Sequence, residues 1–376
     1  MAIKPVFVPV PFVSHLGTLK TTLHPRHQVF AGPYLCCKES HQALPCSPPP
    51  SPPNSAMIHV LILLTLPLQV REQYLERVKA LSDNIRVTLV DHHSKVDPHI
   101  ESADILITFG PMMAEHVLEK AKRLKWVQAL GTGVDGITNR PSLGKGVTVT
   151  NLHGIHGPPV SEAALAMMFA LSRGLWTVFE NQHKRKWEKK IPPSLLQGKT
   201  VVIYGTGVIA AELAPKCKAL GLRVIGISTT VRAIPGFDEV CARQDALGAI
   251  AQADFLVLLT PYTPETHGLI NAETFSVMKK SSYLINLARG GVVNEADLIK
   301  ALNHQTIQAA ALDVFEQEPL PADHVFWGMH NVIVTPHQGG FYDGYVDEAI
   351  PVIQKNLKCF EQGQLEQMIN VVRVAL

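Results

Sequence analysis

The sequence predicts an α/β protein: two doubly wound, parallel-sheet domains. Three observations predict it. From Met57 onward, short apolar β-branched runs alternate with amphipathic helical stretches. The alternation falls into two series separated by one long helical segment, 160–187. The first strand of the second series runs directly into a glycine turn and a helix, VVIYGTGVIAAEL (201–213). Apolar runs joined by helices imply strands buried on both faces of a parallel sheet.

Length and composition suit that class. The 376 residues suffice for two ordinary domains with a large core. Hydrophobic residues make up 46% and charged residues 18%, the profile of a compact soluble protein. A net charge of +2 leaves no electrostatic footprint for nucleic acid or an anionic membrane. The longest apolar run, VLILLTLPLQV (60–70), is broken by Pro67 and falls short of a bilayer span of roughly 18–20 residues. Six cysteines (Cys36, Cys37, Cys46, Cys217, Cys241, Cys359) show neither metal spacing nor a disulfide framework, which points to a reducing compartment.

Residues 1–56 stand apart. Pro45, Pro48, Pro49, Pro50, Pro52 and Pro53 crowd their end, Glu39 is the one acid, and no helical or strand periodicity appears. This composition predicts a disordered arm. PVFVPVPFV (5–13) is too short and too proline-broken for a signal-peptide core. The arm is either dispensable on a cytoplasmic protein or an organelle-import segment, although it lacks an Arg-rich amphipathic helix.

In the first domain, 57–153, strands are expected at 58–64, 85–90, 103–109 and 124–130, with helices at 69–81 and 112–122. The second, 154–336, opens with the 160–187 helix. Six strands follow, at 200–205, 223–228, 254–260, 283–288, 309–315 and 331–336, a number that suits a dinucleotide-binding domain. The segment 337–376 is expected to return to the first domain; from 341 it reads as a helix with no strand of its own.

In the turn YGTGVIA (204–210), Gly205 permits the tight bend, Gly207 admits a pyrophosphate against the backbone, and Ala210 takes the third small position. The phosphates would meet the helix N-terminus at Val208 and Ile209, where free N–H groups and the helix dipole favour anions. Set between strand and helix, the motif marks a Rossmann-like domain. Pro215 is expected to kink this helix or shorten its first regular turns. About 20 residues on, an NAD site usually carries Asp or Glu for the ribose hydroxyl. Here that place holds Ser228, Thr229, Thr230, Val231 and Arg232. No carboxylate would repel a 2′-phosphate, hydroxyls can bond it and Arg232 can neutralise it, so NADP is favoured over NAD. Alternatively, Arg232 is a solvated loop charge.

Downstream lie Arg289 in INLARGG (285–291), Glu318 in ALDVFEQEPLP (311–321) and His337 in VTPHQGG (334–340). Together with GTGVDGI (131–137), the glycine turn and TPYTPETHGLI (260–270), these ordered motifs give residues 57–376 a pattern that resembles the D-isomer-specific 2-hydroxyacid dehydrogenase family, and within it glyoxylate/hydroxypyruvate reductases most. The resemblance implies NAD(P)H-dependent reduction of a small 2-keto acid to the D-2-hydroxy acid. Such a reaction needs a fork for the carboxylate and keto oxygen, which Arg289 supplies better than a lysine. It also needs a proton donor, for which His337 is suited; Glu318 would favour its protonated form and fix its tautomer.

The resemblance further implies that backbone amides around Thr132 and Gly133 bind the substrate carboxylate and that Asp313 bonds the nicotinamide carboxamide, which would put the active site in the cleft between the two domains. Leu287 and Ala288 would line the ribose side, Thr260 and Pro261 the adenosine side, and Gly339 follows the catalytic histidine. Taken singly, Arg289 could cap a strand–loop junction, Glu318 could be a surface acid and His337 a satisfied loop histidine. His153, His156 and His267 read as structural or surface residues, and no metal site is expected.

Gln338 stands where the family commonly has an apolar or small residue. The family's substrate loop maps near FGPMM (109–113), whose lack of a basic residue favours a small or hydrophobic substituent over a phosphorylated one. The chain also lacks the C-terminal regulatory extension of many phosphoglycerate dehydrogenases. The alternatives are a phosphoglycerate- or lactate-type NAD dehydrogenase, and a nucleotide-sensing protein similar to the C-terminal-binding corepressors. By analogy with the family the chain is a homodimer, with the helix at 160–179 a candidate interface.

Overall fold

The computed structural model describes residues 57–189 and 192–374. The N-terminal arm and its import reading lie outside the described residues. Thirteen strands follow in chain order among the described residues: β1 Ile58–Leu63, β2 Ile85–Val90, β3 Ile105–Thr108, β4 Trp126–Ala129, β5 Thr148–Thr150, β6 Thr200–Tyr204, β7 Arg223–Ser228, β8 Glu239–Ala242, β9 Phe255–Leu258, β10 Tyr283–Asn286, β11 Ala309–Leu312, β12 Val332–Val334 and β13 Val371–Arg373. They form two sheets, ordered β13-β5-β4-β3-β1-β2 and β12-β11-β10-β9-β6-β7-β8. Every pairing is parallel except that of β13 with β5. The fold is α/β with two Rossmann-like parallel-sheet domains, as the apolar runs predict.

The physical reason is visible in β1 and β6. Val60, Ile62 and Leu64 enter one core, while Leu61 and Leu63 enter the core on the opposite face. Val202 and Tyr204 likewise separate from Val201 and Ile203. A strand buried on both faces needs an unbroken apolar run, because successive side chains point to opposite sides.

The carboxyl-terminal tail packs on the first sheet. Tyr345, Val346, Ala349, Ile353 and Leu357 of the Tyr345–Glu361 helix join the core of β1 and β3, beside Tyr74 and Val78. The sequence predicts no strand after this helix; the structure adds β13. Asn356, fully buried, determines its position: its Oδ1 accepts from the Ile369 N–H at 2.8 Å, and its Nδ2 donates to the Ile369 carbonyl at 3.2 Å. A three-residue strand carries too short a pattern to be read alone. The same applies to β5, and the edge strand β8 is too polar to announce itself.

Three helices differ from expectation. The one expected at 112–122 shortens to Glu115–Glu119. The 160–187 helix is two, Gly157–Arg173 and Leu175–His183, because Gly174 adopts a left-handed conformation (φ 61°) that ends the first. The Val208–Ala219 helix runs through Pro215 without ending, losing one N–H donor, and the proline ring packs against Gly236. No helix among the described residues is long and apolar enough to cross a membrane. The described cysteines, Cys217, Cys241 and Cys359, are free.

Candidate active site

The strand order of the second sheet places β6 beside both β7 and β9, so a crevice opens beyond their carboxyl ends where the chain reverses direction of winding. Gly205 leaves β6 at φ 99°, and a Cβ there would come within 2.9 Å of the Leu259 carbonyl and Thr260 nitrogen. Only glycine makes this turn. Gly207, by contrast, faces open space at the start of the Val208–Ala219 helix. Thr206 Oγ1 donates to Ser228 Oγ at 2.9 Å and so ties the glycine turn to the end of β7; sequence reasoning passed over this residue. Thr229 and Arg232 are exposed beyond it.

A cavity of about 730 Å³ lies next to this crevice, lined by Thr132, Gly133, Ile209, Leu287, Arg289, Asp313, Glu318, His337 and Gly339 among the residues expected from sequence. Gly205, Gly207, Val208, Ser228, Thr229, Arg232, Thr260, Pro261 and Ala288 are not in its lining. The site therefore has two parts, a half-open chamber and an exposed edge along the second sheet.

Arg289 reaches from the loop after β10 to the loop after β4. Its Nε donates to Asp135 Oδ2 at 2.9 Å and its Nη1 to the Ala288 carbonyl at 2.6 Å. A Cβ on Gly133 would lie 1.5 Å from Nη2, so the guanidinium occupies the space any other residue would fill. Buried Asn286 shapes the loop, accepting from Ala288 N–H and donating to the Arg289 carbonyl.

His337 sits at φ 50°, a left-handed backbone uncommon outside glycine. The Asp313 carbonyl accepts its N–H at 2.8 Å. The Asp313 carboxylate holds the rest of the turn: Oδ1 accepts from Thr335 Oγ1 at 2.5 Å and Gln338 N–H at 3.0 Å, and Oδ2 from Gly339 N–H at 2.8 Å. Sequence reasoning assigned Asp313 to a cofactor contact alone and missed this anchoring role.

His337 Nδ1 donates to Glu318 Oε2 at 2.6 Å, and Glu318 Oε1 accepts from Phe315 N–H at 3.0 Å. With Nδ1 committed, Nε2 is left for the chamber. Burial pushes the Glu318 carboxyl up, but the bond and charge of His337, the Phe315 N–H and the Arg289 charge outweigh it and hold it below its ordinary value. His156 and His267, which the sequence places outside the site, both line the cavity. His267 Nδ1 is 2.9 Å from the Tyr262 hydroxyl.

Residues 165–339 match the family model of the D-isomer specific 2-hydroxyacid dehydrogenase, NAD binding domain. The chain is 30% identical to a glyoxylate reductase of Pyrococcus horikoshii, over 77% of this chain and 90% of that protein. The chain belongs to the D-isomer-specific 2-hydroxyacid dehydrogenase family. That family is one of dehydrogenases, and the matched region is their NAD-binding domain. A family protein from Aeromonas salmonicida superposes with a TM-score of 0.74 at 34% identity, covering 84% of this chain and 99% of that one. The D-3-phosphoglycerate dehydrogenase of Methanocaldococcus jannaschii is 32% identical over 73% of this chain, which spans about half of that relative, 53%.

Proposed function

We propose that this family member reduces a small 2-keto acid of the glyoxylate or hydroxypyruvate type to its D-2-hydroxy acid and prefers NADPH. One observation carries the reading: Arg289 and the Glu318-bonded His337 line a single chamber whose only Lys or Arg, among the described residues, is Arg289. The glycine turn fits a dinucleotide, since Gly205 makes the bend and Gly207 leaves open space at a helix N-terminus. When bound, the reduced nicotinamide supplies hydride.

Arg289 holds the substrate's carboxylate and keto oxygen and stabilises negative charge as it develops on that oxygen. His337 Nε2 delivers the proton, while Glu318 keeps the ring oriented and compensates its positive charge. Amides of the Thr132–Gly133 loop take the carboxylate from the opposite side. Asp313, Leu287, Ala288 and Gly339 border the nicotinamide end. Gly205, Gly207, Val208, Ile209, Thr260 and Pro261 border the phosphates and adenosine, with Ser228, Thr229 and Arg232 at the 2′-phosphate. The lobes divide as 57–153, 154–336 and 337–376, and the protein acts as a cytoplasmic homodimer.

The M. jannaschii relative favours a second reading, a phosphoglycerate-type enzyme. The chamber argues against it: Phe109, Pro111, Met112 and Phe341 line it, and Arg289, already paired with Asp135, is the one Lys or Arg among its described lining residues available for a phosphate. Initial rates with NADPH and NADH against glyoxylate, hydroxypyruvate and 3-phosphohydroxypyruvate test both. Turnover of the first two with NADPH supports the proposal; preference for the phosphorylated acid, or for NADH, overturns its substrate or cofactor half.

A further inference from the structure

His156 precedes the Gly157–Arg173 helix, is 8% exposed and lines the chamber. Its ring lies between two hydroxyls: Nδ1 is 2.8 Å from Thr132 Oγ1 and Nε2 is 2.9 Å from Tyr345 Oη. Donors and acceptors fix the direction of these hydrogen bonds. Tyr345 Oη also bonds the Leu130 carbonyl, which can only accept. The one phenolic proton is therefore committed there, and Tyr345 must accept from His156 Nε2–H. Burial, the largest influence, brings the His156 pKa down to about 4 against a hydrogen bond to the Leu152 backbone that raises it, so the ring is neutral at working pH and carries a single proton. Nδ1 is then a lone pair, and Thr132 Oγ1–H donates into it.

The ring touches more than these two groups. A Cβ on Gly340, three residues after His337, would lie 3.1 Å from His156 Cδ2. The Thr132 carbonyl is itself held by Asn151 Nδ2 at 2.6 Å. His156 thus joins the loop after β4, the turn following His337 and the carboxyl-terminal helix.

We propose that His156 is a positioning residue: through Thr132 and Tyr345 it sets the placement of the Thr132–Gly133 loop against Arg289, and so governs affinity for the substrate carboxylate. The inference rests on the 2-keto acid reading above. It does not require His156 to touch substrate or to exchange a proton. A ring that only filled core space would be replaceable by another ring, and its removal would not act through the Thr132 hydroxyl.

The test uses the full-length chain and four variants: His156→Phe, His156→Asn, Thr132→Val, and His156→Phe combined with Thr132→Val. Loss of the buried bond is expected to raise KM for the keto acid about 10-fold in His156→Phe and in Thr132→Val. Both should hold kcat within about 3-fold and leave KM for NADPH unchanged. His156→Asn, whose carbonyl can accept from Thr132 in place of Nδ1, should restore most of the affinity. The double variant should be no worse than either single one, because both act on the same contact.

Additive losses in the double variant, an unchanged KM in Thr132→Val, or equal loss of cofactor affinity would overturn the inference. Thr132→Val keeps the test decisive if His156→Phe fails to fold. Oxamate binding to the NADP-loaded protein, read by calorimetry, makes the comparison without turnover. Wild type that binds no oxamate overturns the inference together with the reading beneath it. Wild type that binds oxamate, with the variants unchanged, overturns the inference alone.

Discussion

Arg289 Nε donates to Asp135 Oδ2 at 2.9 Å across 154 residues of chain, joining the loop after β10 to the loop after β4. The ion pair is partly exposed and contributes little to stability. Its effect is geometric: it holds the guanidinium in one orientation, with Nη2 set against Gly133.

Gly133→Ala should therefore act like a lesion of Arg289. The added methyl would land 1.5 Å from Nη2 and must displace the fork. We expect kcat/KM to fall about 10²-fold or more, similar to Arg289→Lys, with the thermal midpoint nearly unchanged. Initial rates alongside thermal melts check it; full activity in Gly133→Ala would refute the placement of Arg289.

His337→Gln should lower kcat by about 10²–10⁴-fold, the usual range for loss of a general acid. Glu318→Gln should show a smaller loss, because the ring keeps a hydrogen-bond partner but loses the compensating charge. Single-turnover rates with NADPH would distinguish the two, and equal losses would count against separate roles.

Glu318 also makes a prediction about acid stability. Its carboxyl is held below the ordinary value of 4.5, so its contribution to folding is fully present above that value and is lost as pH falls through the lower, folded-state one. Melting temperatures of wild type and Glu318→Gln should therefore differ by a constant amount above about pH 5 and converge in acid. A constant difference down to pH 3 would contradict the shift.

At the open edge of the second sheet, Arg232→Ala should reduce the NADPH-over-NADH preference by about 10-fold, the scale of one charge-assisted bond. Ser228→Asp should reverse it by placing a carboxylate at the end of β7. Unaltered discrimination in both variants would leave Arg232 a solvated loop charge.

Asp313→Asn tests the anchoring of the His337 turn. The carboxylate accepts three hydrogen bonds, and an amide presents only one oxygen to replace them. A loss of about 1–3 kcal/mol in chemical denaturation is expected, together with reduced kcat from a displaced His337.

Much of this architecture is legible in the chain because β1, β6, β9, β10 and β11 are buried on both faces and so are mostly apolar, with buried His59 in β1 and Asn286 in β10 as exceptions. The glycine turn is equally legible, since the φ of 99° at Gly205 restricts the residue type. The strands end earlier than their apolar runs suggest. Asn286 and Asp313 lie at or just beyond the ends of β10 and β11, and their side chains bond the site loops that follow.

The sequence alone accounts for the two parallel sheets and the dinucleotide turn, because each rests on local pattern, and it nominates Arg289, Glu318 and His337 through their motifs and the chemistry of their residue types. Folding in three dimensions decided the rest. The Asp135–Arg289 contact, the His156–Thr132–Tyr345 chain and the return of β13 to β5 join segments far apart in sequence. Hydrogen bonds of this kind depend on distances that exist only once both sheets have packed, and no periodicity along the chain encodes them.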